Sequence, residues 1–276
     1  MRHIDCILCD SKSKRVIVEQ KFADEYLDLI DPAYQDASSR WVTCESCGCG
    51  FVYHDPQLDE VDTSKLYEKF RDMSFRNETP DEYFDRITTL PKAESENSAK
   101  VDWLHRELPD LIRKGGRILD IGCGGGVFLH TFLKHSPNWE ASGIEPTIAF
   151  AELASRRLNR PILAGSYSKG MCGTGFDLIT CNQVLEHTTD PKVFLDDIYG
   201  DLKEGGCLYL ETPDTADFAL LPPDHDRFLM QHLWYFASDS LQRLARKAGF
   251  EVVTVQKQLT KRGRNNLIAV FERHSA

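Results

Sequence analysis

Residues 117–126 read Arg-Ile-Leu-Asp-Ile-Gly-Cys-Gly-Gly-Gly. An apolar strand ends in an acid, Asp120, and runs directly into a glycine turn. A helix-like segment, Val127-Phe128-Leu129-His130-Thr131-Phe132-Leu133, follows. Glycine allows a backbone to turn this sharply and still approach a ligand closely. The helix start beyond the turn offers unpaired N–H groups, so a nucleotide-like ligand is its natural occupant. Gly122, Gly124 and Gly126 form G-x-G-x-G, with Val127 where a dinucleotide fold would carry its last glycine. A second acid, Glu145, closes the next apolar run 19 residues past Gly126, where a carboxylate can hold two ribose hydroxyls.

A second chemical signal lies near the start. Cys6-x-x-Cys9 and Cys44-x-x-Cys47 are two knuckle-like pairs, and four thiolates satisfy a tetrahedral Zn²⁺. The 34 residues between Cys9 and Cys44 exceed the usual spacing, so extra strands or a small helix around Asp24–Ile30 are expected to fill them. Cys49 is an alternative ligand with poorer spacing than Cys47. A redox pair or free thiols is the competing reading. A set of four protein ligands points to a structural metal and not a catalytic one. Cys123, Cys172, Cys181 and Cys207 are scattered through apolar segments and read as buried, inert thiols.

These residues need elements to position them. From residue 116 the pattern alternates between strand and helix. Strands are expected at 117–121, 139–144, 162–164, 176–181, 207–212, 251–257 and 267–272. Helices are expected at 126–135, 147–159, 191–202 and 238–248. This order implies an α/β fold with a mostly parallel sheet covered on both faces. Asp120, Glu145, Asn182 and Glu211 fall at carboxyl ends of strands, where such sheets bind ligands. Residues 98–113 read as a helix with Val101, Leu104, Leu108, Leu111 and Ile112 at helical spacing, which Pro109 would kink or end early. Three units follow: a zinc ribbon at 1–55, a helical linker or cap at 56–97, and the α/β domain at 98–276. The cap holds Leu66-Tyr67-Glu68-Lys69-Phe70 and Asp81-Glu82-Tyr83-Phe84 as short helices.

The pieces in order are the two cysteine pairs, Cys47-Gly48, Pro56, Tyr67, the glycine turn, Gly143-Ile144-Glu145-Pro146, Val184-Leu185-Glu186-His187, His232-Leu233-Trp234-Tyr235-Phe236 and Ala248-Gly249-Phe250. Together they resemble the zinc-ribbon-bearing class I S-adenosylmethionine (SAM)-dependent methyltransferases of bacterial polysaccharide and natural-product pathways. The resemblance covers nearly the whole chain. It implies a Rossmann-like, seven-stranded, mostly parallel sheet with SAM as cofactor and structural Zn²⁺ on Cys6, Cys9, Cys44 and Cys47. It also implies a SAM site built from Asp120, Gly122, Cys123, Gly124, Gly126, Phe128, Glu145, Pro146, Ser166, Tyr167, Asn182 and Gln183. Glu145 would hold the ribose, Ser166 and Tyr167 the adenine, and Asn182 and Gln183 would border the sulfonium. Phe128 or Tyr235 could face the sulfonium by cation–π attraction.

The stretch 213–236 is rich in histidine and aromatic residues and reads as the acceptor-binding loop. A hydroxyl acceptor needs a general base, and histidine suits one near neutral pH. His232 is the first candidate, followed by His187 and His225. The competing reading makes His232 a structural residue under the loop and lets Glu186-His187 brace the helix after it. Related sugar C-methyltransferases carry a further C-terminal domain, which favours O- or N-methylation here. The expected acceptor is a small molecule such as a nucleotide sugar or glycan.

A net charge of −10 argues against sequence-independent nucleic-acid binding. An RNA base methyltransferase with a zinc-ribbon recognition module, and a non-catalytic SAM-binding protein, remain as alternatives. The start Met1-Arg2-His3-Ile4-Asp5-Cys6 lacks the apolar core of a signal peptide, and no apolar run reaches the roughly 20 residues of a membrane helix, so a cytoplasmic protein without membrane insertion is expected. Oligomeric state is left open.

Overall fold

The computed structural model describes residues 3–21, 38–59, 61–63, 78–215, 218–222, 225, 228, 232–261 and 263–274. The expected helix around Asp24–Ile30, the segment Leu66–Phe70 and parts of 213–236 lie outside the described residues. Two sheets organise the rest. The larger has seven strands: β4 (Gly116–Ile121), β5 (Trp139–Glu145), β6 (Ile162–Ala164), β7 (Phe176–Asn182), β8 (Leu202–Pro213), β10 (Phe250–Leu259) and β11 (Asn265–Arg273). Their order is β10-β11-β8-β7-β4-β5-β6. The run from β8 to β6 is parallel, and β11 is antiparallel to both its neighbours. This is the α/β, Rossmann-like sheet that the alternating pattern implied.

Physical reasons for these elements are local. Six of the seven residues of β7 are buried, because both faces of the central sheet are covered by helices. The helices that follow strands are α4 (Val127–His135), α5 (Ile148–Leu158), α6 (Pro191–Asp201) and α7 (Ser238–Lys247). Asp190 caps α6 by accepting from the Lys192 and Val193 amides, and Pro191 occupies its first turn. The expected helix at 98–113 is split at Pro109 into α2 (Glu96–Glu107) and α3 (Pro109–Lys114). Proline cannot donate to the preceding turn, so it starts a new helix there instead of bending the old one. Strand β8 begins earlier than expected, at Leu202. Leu202 pairs with Phe176 and Cys207 with Leu178, so the intervening Lys203-Glu204-Gly205-Gly206 bulges out where a turn was expected.

Helix α1 (Pro80–Thr88) contains the expected Asp81-Glu82-Tyr83-Phe84 helix and starts on a Thr79/Glu82 capping box. It lies against α4 and α5. Arg156 and Arg157 pair with Asp81, and Arg157 with Asp85, but these groups are largely exposed. Such pairs contribute roughly 0–1 kcal/mol. The apolar contact of Phe84, 4% exposed, with Phe150 and Leu153 is the stronger attachment. Burying a phenylalanine is worth about 1.5–3 kcal/mol.

The smaller sheet is built from β1 (Lys14–Lys21), β2 (Ser38–Cys44), β3 (Val52–His54) and β9 (Trp234–Tyr235), in that order. Its last strand comes from the segment after β8, nearly 180 residues downstream in the chain from β3. Val52 pairs with Tyr235 and Tyr53 with Trp234. The His54 amide donates to Leu233 O (3.0 Å), and the Leu233 amide donates to Glu186 O (2.8 Å). Trp234 stacks on Phe51 with centroids 5.6 Å apart, and its indole N–H donates to Thr188 O. One apolar core therefore runs from Cys6, Cys44 and Phe51 through Trp234 and Phe236 to Leu208, Leu210 and Leu241.

Trp234 is 1% exposed at the junction of the two sheets. Trp234→Ala should lower stability by about 3–5 kcal/mol, read as an earlier midpoint in chemical denaturation. A loss under 1 kcal/mol would mean the two sheets are not energetically joined there.

Candidate active site

A cavity of about 430 Å³ opens at the carboxyl ends of β4, β5, β6 and β7. Ile121 and Gly122, where β4 runs into the glycine turn, form part of its wall. The amides of Gly122 and Cys123 both donate to Ile144 O, at 2.8 and 3.2 Å, and tie the turn to the end of β5. Gly122 has φ +67°, and a Cβ there would sit 2.4 Å from a Val184 methyl, so only glycine fits. Glu145 is 6% exposed. One carboxylate oxygen accepts from the Gly124 amide (2.9 Å) and the other from the Thr147 amide (3.0 Å). These bonds fix the carboxylate plane and leave further lone pairs for a cis-diol in the cavity.

Gly122, Glu145, Pro146, Ser166, Tyr167, Asn182 and Gln183 all line the cavity. Asp120, Cys123, Gly124, Gly126 and Phe128 do not. Cys123 is buried in the turn, and Gly126 opens α4 with φ +81°. Phe128 is packed between Phe132 and Tyr209 in the core, 4% exposed, which removes it from the cation–π role expected for it. Tyr167 is anchored by a hydrogen bond from its hydroxyl to Asp201 (2.8 Å). Gln183 adopts φ +55°, uncommon for a residue with a side chain, and its side-chain Nε2 is buried without a hydrogen-bond partner. Both features suit a group that awaits a ligand.

Asp120 is 2% exposed beneath the turn. Burial raises its carboxyl to about 7, against the opposing Thr180 hydroxyl and the Lys100 ammonium. Thr180 Oγ1 donates to Asp120 Oδ1 at 2.7 Å. Lys100 was missed by sequence reading. It sits one turn before the fully buried Leu104 on α2, and that spacing was the available signal. Its Nζ lies 2.5 Å from Glu211 Oε2 and donates to Asn182 Oδ1 (3.4 Å). Thr63, from the cap segment, also lines the cavity and was not anticipated.

The histidines separate. His187 lines the cavity. The His232 ring packs edge-on against it, with centroids 4.7 Å apart at 69°. His232 Nδ1 is hydrogen-bonded to the Tyr235 hydroxyl on β9. Tyr235 itself is buried against Trp41 and Phe218 in the smaller sheet and does not line the cavity, which removes it from the expected contact with a sulfonium. His225 lies in a tight turn, its amide donating to Pro222 O and its carbonyl accepting from Phe228, and it does not line the cavity. Glu186 is fully buried, and burial pushes its carboxyl up to about 8, although the Thr212 hydroxyl donates to it at 3.2 Å. It is mainly protonated at neutral pH and braces the loop.

The folded state holds the Glu186 proton more tightly than the unfolded chain does. Stability should therefore fall as pH rises from the ordinary glutamate range to about 8. Glu186→Gln should melt higher than the parent at neutral pH and show a weaker pH dependence over that range. An identical pH profile in both proteins would contradict a buried, protonated carboxyl.

At the other end of the smaller sheet, the sulfurs of Cys6, Cys9, Cys44 and Cys47 all lie within 4.8 Å of one another. Cys6 and Cys47 are 3.9 Å apart, and Cys9 and Cys44 3.6 Å. Tetrahedral zinc with bonds of about 2.3 Å needs S···S distances of about 3.8 Å, so this donor set fits the ion. Cys49 lies 2.8 Å from Cys47 and is buried.

The methyltransferase-domain family matches residues 93–255, more than half of the chain. The chain is 27% identical over 214 residues to the ubiquinone biosynthesis O-methyltransferase of Pseudomonas aeruginosa, covering 71% of this chain and 86% of that protein. It is 34% identical over 165 residues to the tRNA U34 carboxymethyltransferase of Ectopseudomonas mendocina, covering 55% of this chain and 50% of that protein. A crystal structure of a SAM-dependent methyltransferase from Clostridium acetobutylicum shares the fold, with a TM-score of 0.55 at 11% identity, covering 71% of this chain and 99% of that one. Glu145→Ala should weaken SAM binding roughly tenfold or more, because a buried acceptor for two hydroxyls is lost. Unchanged affinity in a calorimetric titration would refute the ribose assignment. The cavity, the glycine turn and the matched family together establish that the chain belongs to the methyltransferase-domain family and is a SAM-dependent methyltransferase.

Proposed function

We propose that the protein methylates a hydroxyl of a small-molecule acceptor, a sugar, nucleotide sugar or natural product, with His187 and His232 as the basic pair. The observation that carries this reading is the contact between the two rings at the cavity wall. Bound SAM supplies a methyl on a sulfonium, and transfer leaves a neutral thioether. The chain's own work is to align the acceptor and take its proton. Alignment can contribute roughly 7–11 kcal/mol. His187 is placed to accept the hydroxyl proton. His232, held by Tyr235, orients the His187 ring and offers a second site for the proton.

The SAM site is proposed to comprise Gly122, Glu145, Pro146, Ser166, Tyr167, Asn182 and Gln183, with Glu145 on the ribose and Ser166 and Tyr167 toward the adenine. The unit at 1–55 is proposed to carry structural Zn²⁺ on Cys6, Cys9, Cys44 and Cys47. The unit at 56–97 would serve as a cap, supported by Thr63 in the cavity wall, and 98–276 as the catalytic unit. No helix among the described residues is long and apolar enough to cross a membrane. Nine cysteines, none of them in a disulfide, suit a reducing, cytoplasmic setting. A tRNA acceptor is the second reading, favoured by the similarity to the Ectopseudomonas enzyme and opposed by the net charge of −10.

A screen of nucleotide sugars, free sugars, phenolic hydroxyls and tRNA with methyl-labelled SAM tests the acceptor class. His187→Ala and His232→Ala should each lower kcat by about 10²–10⁴ with SAM affinity within a few-fold of the parent. Equal losses in turnover and SAM binding would make the pair structural. Labelling of tRNA alone would replace the small-molecule reading.

A further inference from the structure

A buried charged cluster lies behind Asn182 in the cavity wall; Glu211, Lys100 and Asp120 belong to it without lining the cavity themselves. Glu211, at the end of β8, is 2% exposed. Its Oε1 accepts from Asn266 Nδ2 (2.6 Å), and its Oε2 lies 2.5 Å from Lys100 Nζ. Its backbone carbonyl accepts from the Gln183 amide (2.9 Å). Lys100 also reaches Asn182, which lines the cavity at the end of β7. Asp120 lies beside the same groups and feels the Lys100 charge. Glu186 and Tyr209 feel the Glu211 charge from their own sides. Two carboxyls thus converge on the place where β4, β7 and β8 end, and one ammonium, brought in by α2, is their counterion there.

SAM and its product differ by one charge. SAM carries a sulfonium, whereas S-adenosylhomocysteine carries a neutral thioether in the same place. An unbalanced carboxylate behind the wall that faces that sulfur would hold SAM more tightly than the reacting state, in which the positive charge is being dispersed, and binding that favours the ground state does not accelerate transfer. A buried carboxylate without its counterion is also strongly unfavourable in itself. Lys100 removes both problems at once.

We propose that Lys100 is a positioning residue whose ammonium neutralises Glu211 and so limits the preference of the pocket for sulfonium over thioether. The proposal rests on the reading of this cavity as the SAM site. It assigns a function to the Lys100–Glu211 pair beyond holding α2 against the sheet. The neighbouring Asn182 is fixed by the same ammonium, so Lys100 controls both the charge and the geometry of the donor end.

Calorimetric titration with SAM and with S-adenosylhomocysteine separates the possibilities. In Lys100→Met the ratio of SAM to S-adenosylhomocysteine affinity should rise roughly tenfold, equivalent to one pKa unit of differential interaction. In the double variant Lys100→Met/Glu211→Gln, which restores neutrality, the ratio should return to the parent value. An equal loss of both ligands in Lys100→Met would mean that Lys100 binds the carboxylate they share, and would overturn the proposal. An unchanged ratio, or a raised ratio that the double variant fails to correct, would also overturn it. Absence of binding by the parent protein would instead refute the SAM reading of the cavity. Circular dichroism of each variant checks folding, and Glu211→Gln alone supplies a second test, with a ratio lowered below that of the parent.

Discussion

The pairing of β9 with β3 is the constraint on which the site depends. Two residues, Trp234 and Tyr235, extend a sheet that begins near the cysteine cluster and ends beside the cavity. Without that pairing the segment after β8 would be a long connection over the mouth of an otherwise ordinary parallel sheet. With it, Tyr235 is fully buried, and its hydroxyl fixes the ring of His232 against His187. Aromatic stacking of Phe51 on Trp234 supplies the apolar surface, and the Leu233 bonds to His54 and Glu186 supply the register. The cysteine unit thereby has a physical route to the chemistry although its sulfurs lie in another part of the sheet.

The donor side follows a different logic. The amides of Gly124, in the glycine turn, and of Thr147 hold Glu145 in place, so a short strand-to-helix connection orients the acid proposed to accept the ribose hydroxyls. The buried acids near it are kept in balance by three means. Glu186 stays protonated, Asp120 is pushed up to about 7 by burial, and Glu211 is paired with Lys100. Burial penalises each charge, and the fold answers each penalty with a proton, a hydroxyl donor or a counterion.

The catalytic sheet was legible because its signals are local. Apolar runs ending in Asp120, Glu145 and Asn182, separated by helical periodicity, define parallel strands and their carboxyl ends. The glycine turn needs its residue types for steric reasons that a sequence displays directly, as the Val184 contact at Gly122 shows. The cysteine pairs were legible for the same reason, since ligand spacing is a local property. What was not legible depends on contacts between distant segments. β9 is a two-residue strand with no periodicity of its own, and its partner lies far away in the chain. Lys100 looks like one more solvated lysine until α2 is docked on the sheet. Phe128 or Tyr235 was expected near the sulfonium by residue type, whereas packing put Phe128 against Tyr209 and Tyr235 against Trp41. Pro109 does end the helix early, as its residue type implied, and what the sequence did not display is that it also starts a new one.

Amide hydrogen exchange before and after removal of the proposed Zn²⁺ by a chelator tests the central claim most directly. The claim is that the cysteine cluster, through the smaller sheet, holds β9 and with it His232. Metal release should strip protection from the amides of Trp234 and Tyr235, while β4 and β7 keep theirs and SAM still binds. Full protection of those two amides after metal loss would contradict the account, because β9 would then be held by the catalytic unit alone.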